Sequence, residues 1–335
     1  MTQSVILGLG RYVPDKIVRN EDLDALLGTS GDWIERRTGI KERRFVDLEH
    51  NPMGSLILSE FAAKEALANA GVTNHEIDCM IYATSTPQYI YPGNGVLLQA
   101  KLDIPSGVPS FDIRNQCAGF LYGLFMADAF IRLGLYQRIL LVGAENHSNF
   151  MQFTEQYREI ACLFADAAGA VVVGPSNDTH RGVMDVTVHG DGRHAEDIYC
   201  PAPQIAPMPY IEEDKLRPGG WTPVMEGKAV FRHATRRMPE VVQEILTKHG
   251  LTIEDVNIFI AHQANLRILD LVQRRLCLTD EQVFNNIQHY GNTTSASIPI
   301  AMYEALALGR LKSGDLLCLA AFGSGYTWGA ALIRW

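Results

Sequence analysis

Residues 71–83 (GVTNHEIDCMIYA) resemble residues 250–262 (GLTIEDVNIFIAH) nearly position for position. Each segment begins as the turn after a helix and ends in an apolar run that suits a buried strand. Two further pairs follow in the same order: 133–144 (LGLYQRILLVGA) with 308–321 (LGRLKSGDLLCLAA), and 168–173 (AGAVVV) with 328–333 (WGAALI). Three matches in one order indicate an internal duplication of the chain.

The duplicated unit reads as helix, strand, helix, strand and a last strand of glycine and small apolar residues. Strands that are apolar on both faces need helices to cover them, so each half is predicted to be mixed α/β. Two stacked halves predict a layered αβαβα core. The polar stretch 174–181 (GPSNDTHR) places the boundary between halves 1–175 and 176–335. Residues 195–224, rich in proline and glycine, are predicted to form an irregular excursion.

Composition limits the possible functions. The chain has 335 residues and a formal net charge of −9, which makes wholesale binding to nucleic acid or to an anionic membrane unfavourable. Its six cysteines are scattered without a CxxC pair, which is typical of a reducing compartment rather than of a disulfide framework. No basic leader opens the sequence, and no apolar run approaches the roughly 18 residues of a membrane span. We therefore expect a soluble cytoplasmic protein.

Cys117 is the candidate nucleophile. Residues 108–113 (VPSFDI) predict a strand and residues 117–133 predict an apolar helix, so Cys117 lies at their junction. A thiol there faces unpaired backbone N–H groups and the positive end of the helix dipole, which favour the thiolate. The alternative is a buried structural cysteine, and that interpretation is adopted for the cysteines in apolar strand-like runs, Cys79, Cys162 and Cys318.

His262 and Asn292 are the candidate partners of this thiol. His262 ends the apolar run VNIFIA, and the carboxyl ends of strands are where α/β sheets place their chemistry. Asn292 lies in YGNTTSAS, just before an apolar helix. Both side chains can donate hydrogen bonds to one thioester carbonyl and stabilise an enolate. A core histidine, a helix-capping asparagine and a papain-like protease are the alternatives, although the local protease signature around the cysteine is absent.

Four motifs then identify a family resemblance: NQCAGF (115–120), AHQANLRI (261–268), YGNTTSAS (290–297) and FGSGYTWGAAL (322–332). Together they resemble β-ketoacyl-acyl-carrier-protein synthase III, a condensing enzyme of the thiolase superfamily, over essentially the whole chain. The resemblance implies a thiolase-like duplicated αβαβα fold and a triad at Cys117, His262 and Asn292. It also implies a ping-pong reaction, in which acyl-CoA acylates the cysteine and malonyl-acyl-carrier protein then loses carbon dioxide and attacks the acyl group.

Alternatives to this reaction stay open within the superfamily. The DIRNQC stretch and the GSG turn also resemble secondary-metabolism relatives that make quinolones or polyketide-type products, or that transfer the acyl group to another acceptor. A non-catalytic homologue that has lost its cysteine is disfavoured, because all three triad residues are present.

The resemblance also implies binding residues. Backbone N–H groups of Cys117 and Ser324 would form an oxyanion hole. Coenzyme A and its phosphopantetheine arm would contact Trp33, Arg37, Arg158, Gly227, Phe231 and Asn265. Tyr91 would reach across a homodimer interface into the partner's acyl pocket. No metal and no cofactor beyond the coenzyme A thioester are expected. Two positions depart from the family pattern, Lys228 in place of asparagine and Ser324 in place of a loop glycine.

A basic surface is predicted on an otherwise acidic protein. Six arginines fall in two predicted helices at spacings of three, four or seven residues, so those within a helix share a face. They are Arg232, Arg236, Arg237, Arg267, Arg274 and Arg275. These are either two solvated helix faces or, as the resemblance implies, a docking site for acidic acyl-carrier protein. The two histidines of HGDGRH (189–194) are predicted to lie in a glycine-rich turn rather than in a metal site.

Overall fold

The computed structural model describes residues 2–47, 49–50, 54–149, 151–178, 180–200 and 222–335. The strands in this part of the chain are β1 (Gln3–Tyr12), β2 (Lys16–Arg19), β3 (Glu42–Phe45), β4 (Cys79–Ala83), β5 (Ser110–Ile113), β6 (Ile139–Glu145), β7 (Ala167–Ser176), β8 (Gly182–Gly190), β9 (Ile198–Tyr199), β10 (Val224–Met225), β11 (Ile258–Ala261), β12 (Leu316–Gly323) and β13 (Thr327–Arg334). The α-helices are α1 (Asp24–Leu27), α2 (Gly31–Thr38), α3 (Ser55–Ala70), α4 (Asn94–Lys101), α5 (Gly119–Arg132), α6 (Arg158–Ala161), α7 (Gly227–Lys248), α8 (Leu266–Leu276), α9 (Ile287–Tyr290) and α10 (Ser297–Ala307).

Two sheets with matching topology form the core. The first has the order β1-β7-β6-β4-β5, and the second has the order β8-β13-β12-β11. In each sheet the repeated strands pair alike: β4 with β6 and β11 with β12 are parallel, and the next two pairings are antiparallel. The three sequence repeats thus end in corresponding strands, which confirms the predicted duplication. The strands of the first sheet lie within residues 3–176 and those of the second within residues 182–334.

Local signals explain why the two opening repeats look alike. Gly71 and Gly250 have φ values of 64° and 65°, left-handed conformations that suit glycine just after α3 and α7. A short 3-10 turn follows each glycine and carries a capping box, Thr73 with Glu76 and Thr252 with Asp255. Each turn delivers the chain into a fully buried strand, β4 or β11.

The layers follow from which helix faces are apolar. Helices α5 and α10 contact both sheets and form the middle layer. On the outside, α3 and α4 pack on the first sheet, while α7 and α8 pack together on the second. This is the predicted αβαβα arrangement. Gly143 of β6 allows the segment just before α10 to pack closely on the first sheet. A Cβ at this position would lie 2.5 Å from the carbonyl oxygen of Ser295.

Two sequence expectations need adjustment. The apolar helix predicted from residue 117 begins at Gly119, because residues 116–118 form a separate 3-10 turn. Most of the predicted excursion, residues 201–221, lies outside the described residues, and its flanks pair as the short strands β9 and β10. Among the helices of the described ranges, none has the length and hydrophobicity to cross a membrane.

Candidate active site

Cys117 lies in the 3-10 turn between β5 and α5. Gln116, directly before it, has a φ of 39°, so the chain reverses sharply and presents the cysteine at the start of the helix. The side chain is 8% exposed and lines an internal cavity. A matching turn precedes α10, where Thr294 has a φ of 49°. Both middle-layer helices, α5 and α10, are therefore preceded by a 3-10 turn that contains a residue with positive φ.

His262 directly follows β11 and is 1% exposed. Burial lowers the pKa of its imidazole to about 3, so the ring is neutral at physiological pH. Its Nδ1 lies 2.7 Å from the Ser297 hydroxyl, which also accepts the Gln263 backbone N–H at 3.3 Å. Since Ser297 accepts from Gln263, its own proton is available to Nδ1. This pattern favours the tautomer with the proton on Nε2.

The other ring nitrogen of His262 faces the cavity. Its Nε2 is buried and has no hydrogen-bond partner among the described residues. A buried polar group without a partner is costly, and a catalytic role is one of the explanations for such a group in a native protein. The ring thus has one nitrogen fixed by Ser297 and one that is available for substrate.

Asn292 is held by backbone hydrogen bonds on both sides. Its N–H donates to the Leu163 carbonyl at 2.8 Å, and its own carbonyl accepts the Ala165 N–H at 3.0 Å. The side-chain Oδ1 accepts the Thr294 N–H at 2.9 Å, which assigns the amide orientation. With Oδ1 engaged, the Nδ2 group is the donor that Asn292 offers to a ligand.

One cavity brings these three side chains together. Its volume is about 800 Å³, and Cys117, His262 and Asn292 all line it. They come from three separate places in the fold, the turn before α5, the end of β11 and the turn before α10. The cavity therefore combines a thiol with two neutral hydrogen-bond donors in a mainly apolar setting.

The loop after β12 covers the thiol. A Cβ on Gly323 would lie 2.7 Å from that of Cys117, so only glycine permits this contact. The backbone N–H of Ser324 acts to lower the pKa of the Cys117 thiol, while its hydroxyl donates to the Ile198 carbonyl at 2.5 Å. The residue that departs from the family's glycine thus engages its hydroxyl with Ile198 and keeps a backbone N–H that acts on the thiol.

The protonation state of Cys117 differs from the sequence expectation. Burial and the nearby carboxylate of Glu145 raise the pKa of the thiol to about 12, although the N–H groups of Cys117 and Ser324 act to lower it. The expected preference for the thiolate at the helix N-terminus is therefore wrong for the substrate-free protein. The desolvation of the buried sulfur raises the pKa more than the backbone N–H groups lower it.

A cluster around Trp33 stands at the cavity mouth. The guanidinium of Arg37 lies 4.7 Å from the Trp33 ring centre, and that of Arg158 lies 5.6 Å from it. Arg37 also pairs with Glu159 at 3.8 Å. Trp33 and Arg37 line the cavity, and Arg158 stands beside them. Stacked aromatic and guanidinium groups suit a nucleobase with phosphates.

The remaining candidate ligand contacts fall on α7 and α8. Gly227, Lys228, Phe231 and Asn265 all line the cavity. Asn265 caps α8, with its Oδ1 accepting the Arg267 N–H at 2.8 Å, so its Nδ2 is the group that remains for a ligand.

The arginine surface forms where α7 and α8 pack side by side. Arg275 donates to the Thr235 carbonyl at 2.6 Å and ties the two helices together. Arg267 donates to the carbonyl of Arg36 near the end of α2. Others of the group pair within their helices: Arg236 and Arg237 with Glu240, and Arg274 with the carbonyl of Asp270. Five of the six arginines therefore have a partner within the protein.

Tyr91 lies elsewhere. It is 85% exposed, and its neighbours Tyr89 and Ile90 are 54% and 58% exposed. Tyr91 is not among the described residues that line its own chain's cavity. Within the described ranges, no group of three histidine, cysteine, aspartate or glutamate side chains is placed to hold a metal.

Two buried groups of the site escaped sequence reasoning. Ser297 orients His262, and only its place at the start of α10 signals that role. Glu145 ends β6 and accepts the N–H and hydroxyl of Ser85 as well as the hydroxyl of Ser295. Burial raises the pKa of this carboxyl. A charged residue at the end of an apolar strand was its only signal in the sequence.

Comparison with known proteins agrees with this geometry. Residues 111–192 match the family model of 3-oxoacyl-[acyl-carrier-protein] synthase III, and residues 246–335 match the model of its C-terminal part. A β-ketoacyl-[acyl-carrier-protein] synthase III from Rhodospirillum centenum is 40% identical over 99% of both chains, and one from Brucella canis is 37% identical over 100% of both. The crystal structure of the Aquifex aeolicus 3-oxoacyl-[acyl-carrier-protein] synthase III superposes with a TM-score of 0.90 at 38% identity, covering 100% of both chains. The chain therefore belongs to the β-ketoacyl-[acyl-carrier-protein] synthase III family of thiolase-fold condensing enzymes, as the four sequence motifs predicted.

Proposed function

We propose that this enzyme condenses an acyl-CoA starter with malonyl-acyl-carrier protein, through an acyl group carried on Cys117. One observation supports this most strongly. A buried thiol, the unpartnered Nε2 of His262 and the amide of Asn292 share one cavity, which Ser324 also lines. The names of the relatives describe the same class of reaction.

In the first step, the sulfur of Cys117 attacks the thioester carbonyl of acyl-CoA. The new C–S bond replaces the bond to coenzyme A, which leaves as a thiol carrying the proton of Cys117. The tetrahedral intermediate places negative charge on oxygen, where the N–H groups of Cys117 and Ser324 form the oxyanion hole. Because the resting thiol has a raised pKa, its proton is lost as substrate binds and attack begins.

In the second step, the malonyl thioester loses carbon dioxide and becomes an enolate. His262 Nε2–H and Asn292 Nδ2–H donate to the thioester oxygen and stabilise its developing charge. A neutral imidazole suits this role, and burial keeps His262 neutral. The enolate carbon then attacks the acyl-cysteine carbonyl, which yields the β-ketoacyl-carrier protein. The departing Cys117 thiolate takes up a proton from solvent water, which replaces the proton that left with coenzyme A in the first step.

The approach to the cavity suits a phosphopantetheine thioester. Trp33, Arg37 and Arg158 form the nucleotide end of the coenzyme A site, because an aromatic ring beside two guanidinium groups suits a nucleobase and phosphates. Along the arm, Gly227, Phe231 and Asn265 line the cavity wall. The exposed arginines Arg232, Arg236, Arg267, Arg274 and Arg275 form the docking surface for acidic acyl-carrier protein.

A homodimer completes the proposed enzyme. Tyr89, Ile90 and Tyr91 expose a contiguous apolar segment that a second copy of the chain would cover. In that arrangement Tyr91 caps the partner's acyl pocket.

The two halves of each chain, 1–175 and 176–335, act together, because Cys117 belongs to the first and His262 and Asn292 belong to the second. The enzyme works in the cytoplasm.

Product analysis tests the proposal. The enzyme is incubated with acetyl-CoA and malonyl-acyl-carrier protein, and the carrier protein is analysed by mass while released carbon dioxide is counted. We expect one carbon dioxide for each β-ketoacyl group formed. Acyl transfer to another acceptor, without chain extension or carbon dioxide, would instead support the secondary-metabolism alternative, which the named relatives do not favour.

A further inference from the structure

The turn formed by HGDGRH and the residues after it contacts the loop that carries the Ser324 N–H. Beyond β8, residues 192–197 form a 3-10 segment that leads into β9. Asp191 and Tyr326 exchange two backbone hydrogen bonds, of 2.8 and 2.9 Å. The Ser324 hydroxyl donates to the Ile198 carbonyl. This segment is therefore attached to the loop 323–326 at more than one point.

Asp197 provides the side-chain link between these two segments. The Tyr326 hydroxyl donates to Asp197 Oδ2 at 2.7 Å, and His194 Nδ1 lies 3.3 Å from the same oxygen. Tyr326 is 1% exposed, and its ring packs against Phe322 and His233. A phenol so enclosed has few alternative partners, so its orientation depends on the carboxylate.

Asp197 also reaches the cavity rim. Its carbonyl accepts the Glu226 N–H at 2.7 Å, directly before α7, and the next residue, Ile198, pairs with Met225. Ile198, Met225 and Glu226 line the cavity. A short chain of contacts thus runs from the substrate entrance through Asp197 and Tyr326 to the loop over Cys117.

From these contacts we propose that Asp197 is a positioning residue for the oxyanion loop, which it holds in place by accepting the Tyr326 hydroxyl. This inference rests on the proposed role of the Ser324 N–H. An oxyanion donor is effective only when it is fixed before charge develops, and small displacements weaken it. Asp197 never touches the reacting atoms; it acts through Tyr326 on the position of Ser324.

Four variants and one control test this role. Tyr326→Phe removes the hydroxyl but keeps the ring, and Asp197→Ala removes the acceptor. The double variant combines both, while Asp197→Asn keeps an acceptor oxygen. Glu196→Ala is the matched control, because Glu196 is the exposed neighbour of Asp197 on the same turn. Melting temperatures check that each variant is folded.

The expected kinetic result is a loss in kcat with little change in KM. We expect Tyr326→Phe and Asp197→Ala to lower kcat about tenfold, with the KM for acyl-CoA within about twofold of wild type. The double variant should lose no more than either single variant, because both remove the same hydrogen bond. Asp197→Asn should recover most of the activity, and Glu196→Ala should match wild type. Unchanged kcat in Tyr326→Phe, or losses that multiply in the double variant, would overturn the proposal.

A second readout does not depend on turnover. The Ser324 N–H acts to lower the pKa of the Cys117 thiol. Displacing it should slow alkylation of Cys117 by iodoacetamide at a fixed pH in Tyr326→Phe and Asp197→Ala, but not in Glu196→Ala. A merely structural role would lower the melting temperature and leave the alkylation rate unchanged. If wild type forms no condensation product, the proposed function fails, and the alkylation comparison still decides the role of Asp197.

Discussion

The backbone N–H of Ser324 acts on the Cys117 thiol and lowers its pKa, while the Ser324 hydroxyl donates to the Ile198 carbonyl. Its φ is not positive, so a side chain at this loop position causes no backbone strain. A serine can therefore occupy this position without removing the donor from the site.

Replacing Ser324 should accordingly have a small effect. Ser324→Gly and Ser324→Ala both keep the backbone N–H and lose only the hydroxyl bond to Ile198. We expect kcat to stay within about threefold of wild type in both variants, because in the proposed mechanism the backbone donor, not the hydroxyl, stabilises the oxyanion. Steady-state condensation assays measure this. A hundredfold loss in Ser324→Ala would mean that the hydroxyl itself takes part in the chemistry.

Asn292→Asp should separate the two half-reactions. The aspartate keeps an oxygen for the Thr294 N–H but loses the Nδ2 donor and places negative charge beside the forming enolate. We expect decarboxylation of malonyl-acyl-carrier protein to slow by about 10²–10³-fold, as for loss of other oxyanion donors. Acyl-enzyme formation, followed by intact mass, should persist and serves as the internal control. Equal losses in both steps would contradict the assignment of Asn292 to the enolate.

His262 should make the fold sensitive to acid. Burial lowers the pKa of the folded-state imidazole to about 3 from an ordinary value of 6.5. Between these pH values the unfolded chain binds a proton that the folded protein excludes, so stability is full above pH 6.5 and falls as pH drops toward 3. The group contributes roughly 1.4 kcal/mol per pH unit within that window.

Urea unfolding of wild type and His262→Asn measures this contribution across the window. The difference between the two profiles isolates the contribution of His262 from those of other buried groups. One of these is Asp166: burial raises its pKa, so its contribution to stability grows as pH falls. The free energy of unfolding of wild type should fall more steeply toward low pH than that of the variant. Parallel profiles would show that His262 is not held neutral in the folded protein.

Charge reversal on the arginine surface should weaken recognition of the carrier protein and leave the reaction with acyl-CoA unchanged. In Arg232→Glu with Arg236→Glu, we expect the KM for malonyl-acyl-carrier protein to rise by about tenfold or more, with a reduced dependence on salt. The rate of acyl-CoA loading should change little. Lys16→Glu with Lys312→Glu, at two exposed lysines outside this surface, is the control, because it makes the same change in net charge. An equal rise in KM in the control would mean that net charge, not this surface, sets the effect.

Much of the fold was readable from the sequence because the chain repeats itself. The turns at Gly71 and Gly250 and the strands after them carry local signals that do not depend on tertiary packing. The placing of Cys117, His262 and Asn292 at strand and helix ends followed from the same pattern. The four family motifs then predicted the shared site.

What the sequence missed depends on burial and long-range packing. The raised pKa of Cys117 arises because the loop after β12 and the cavity walls exclude water, which no local pattern shows. The partners of Arg267 and Arg275 are backbone carbonyls on other helices. Likewise, Asp197 meets Tyr326 only because β13 returns beside β8. Such contacts between distant segments are not encoded in spacing.

The most direct test of the central claim is the intact mass of the protein after incubation with acyl-CoAs of increasing chain length, beside a Cys117→Ala control. Wild type should gain the mass of one acyl group, and the control should gain none. The longest chain that loads would also measure the acyl pocket. An adduct that persists in Cys117→Ala, or no adduct with any acyl-CoA, would contradict the assignment of Cys117 as the residue that carries an acyl group from coenzyme A.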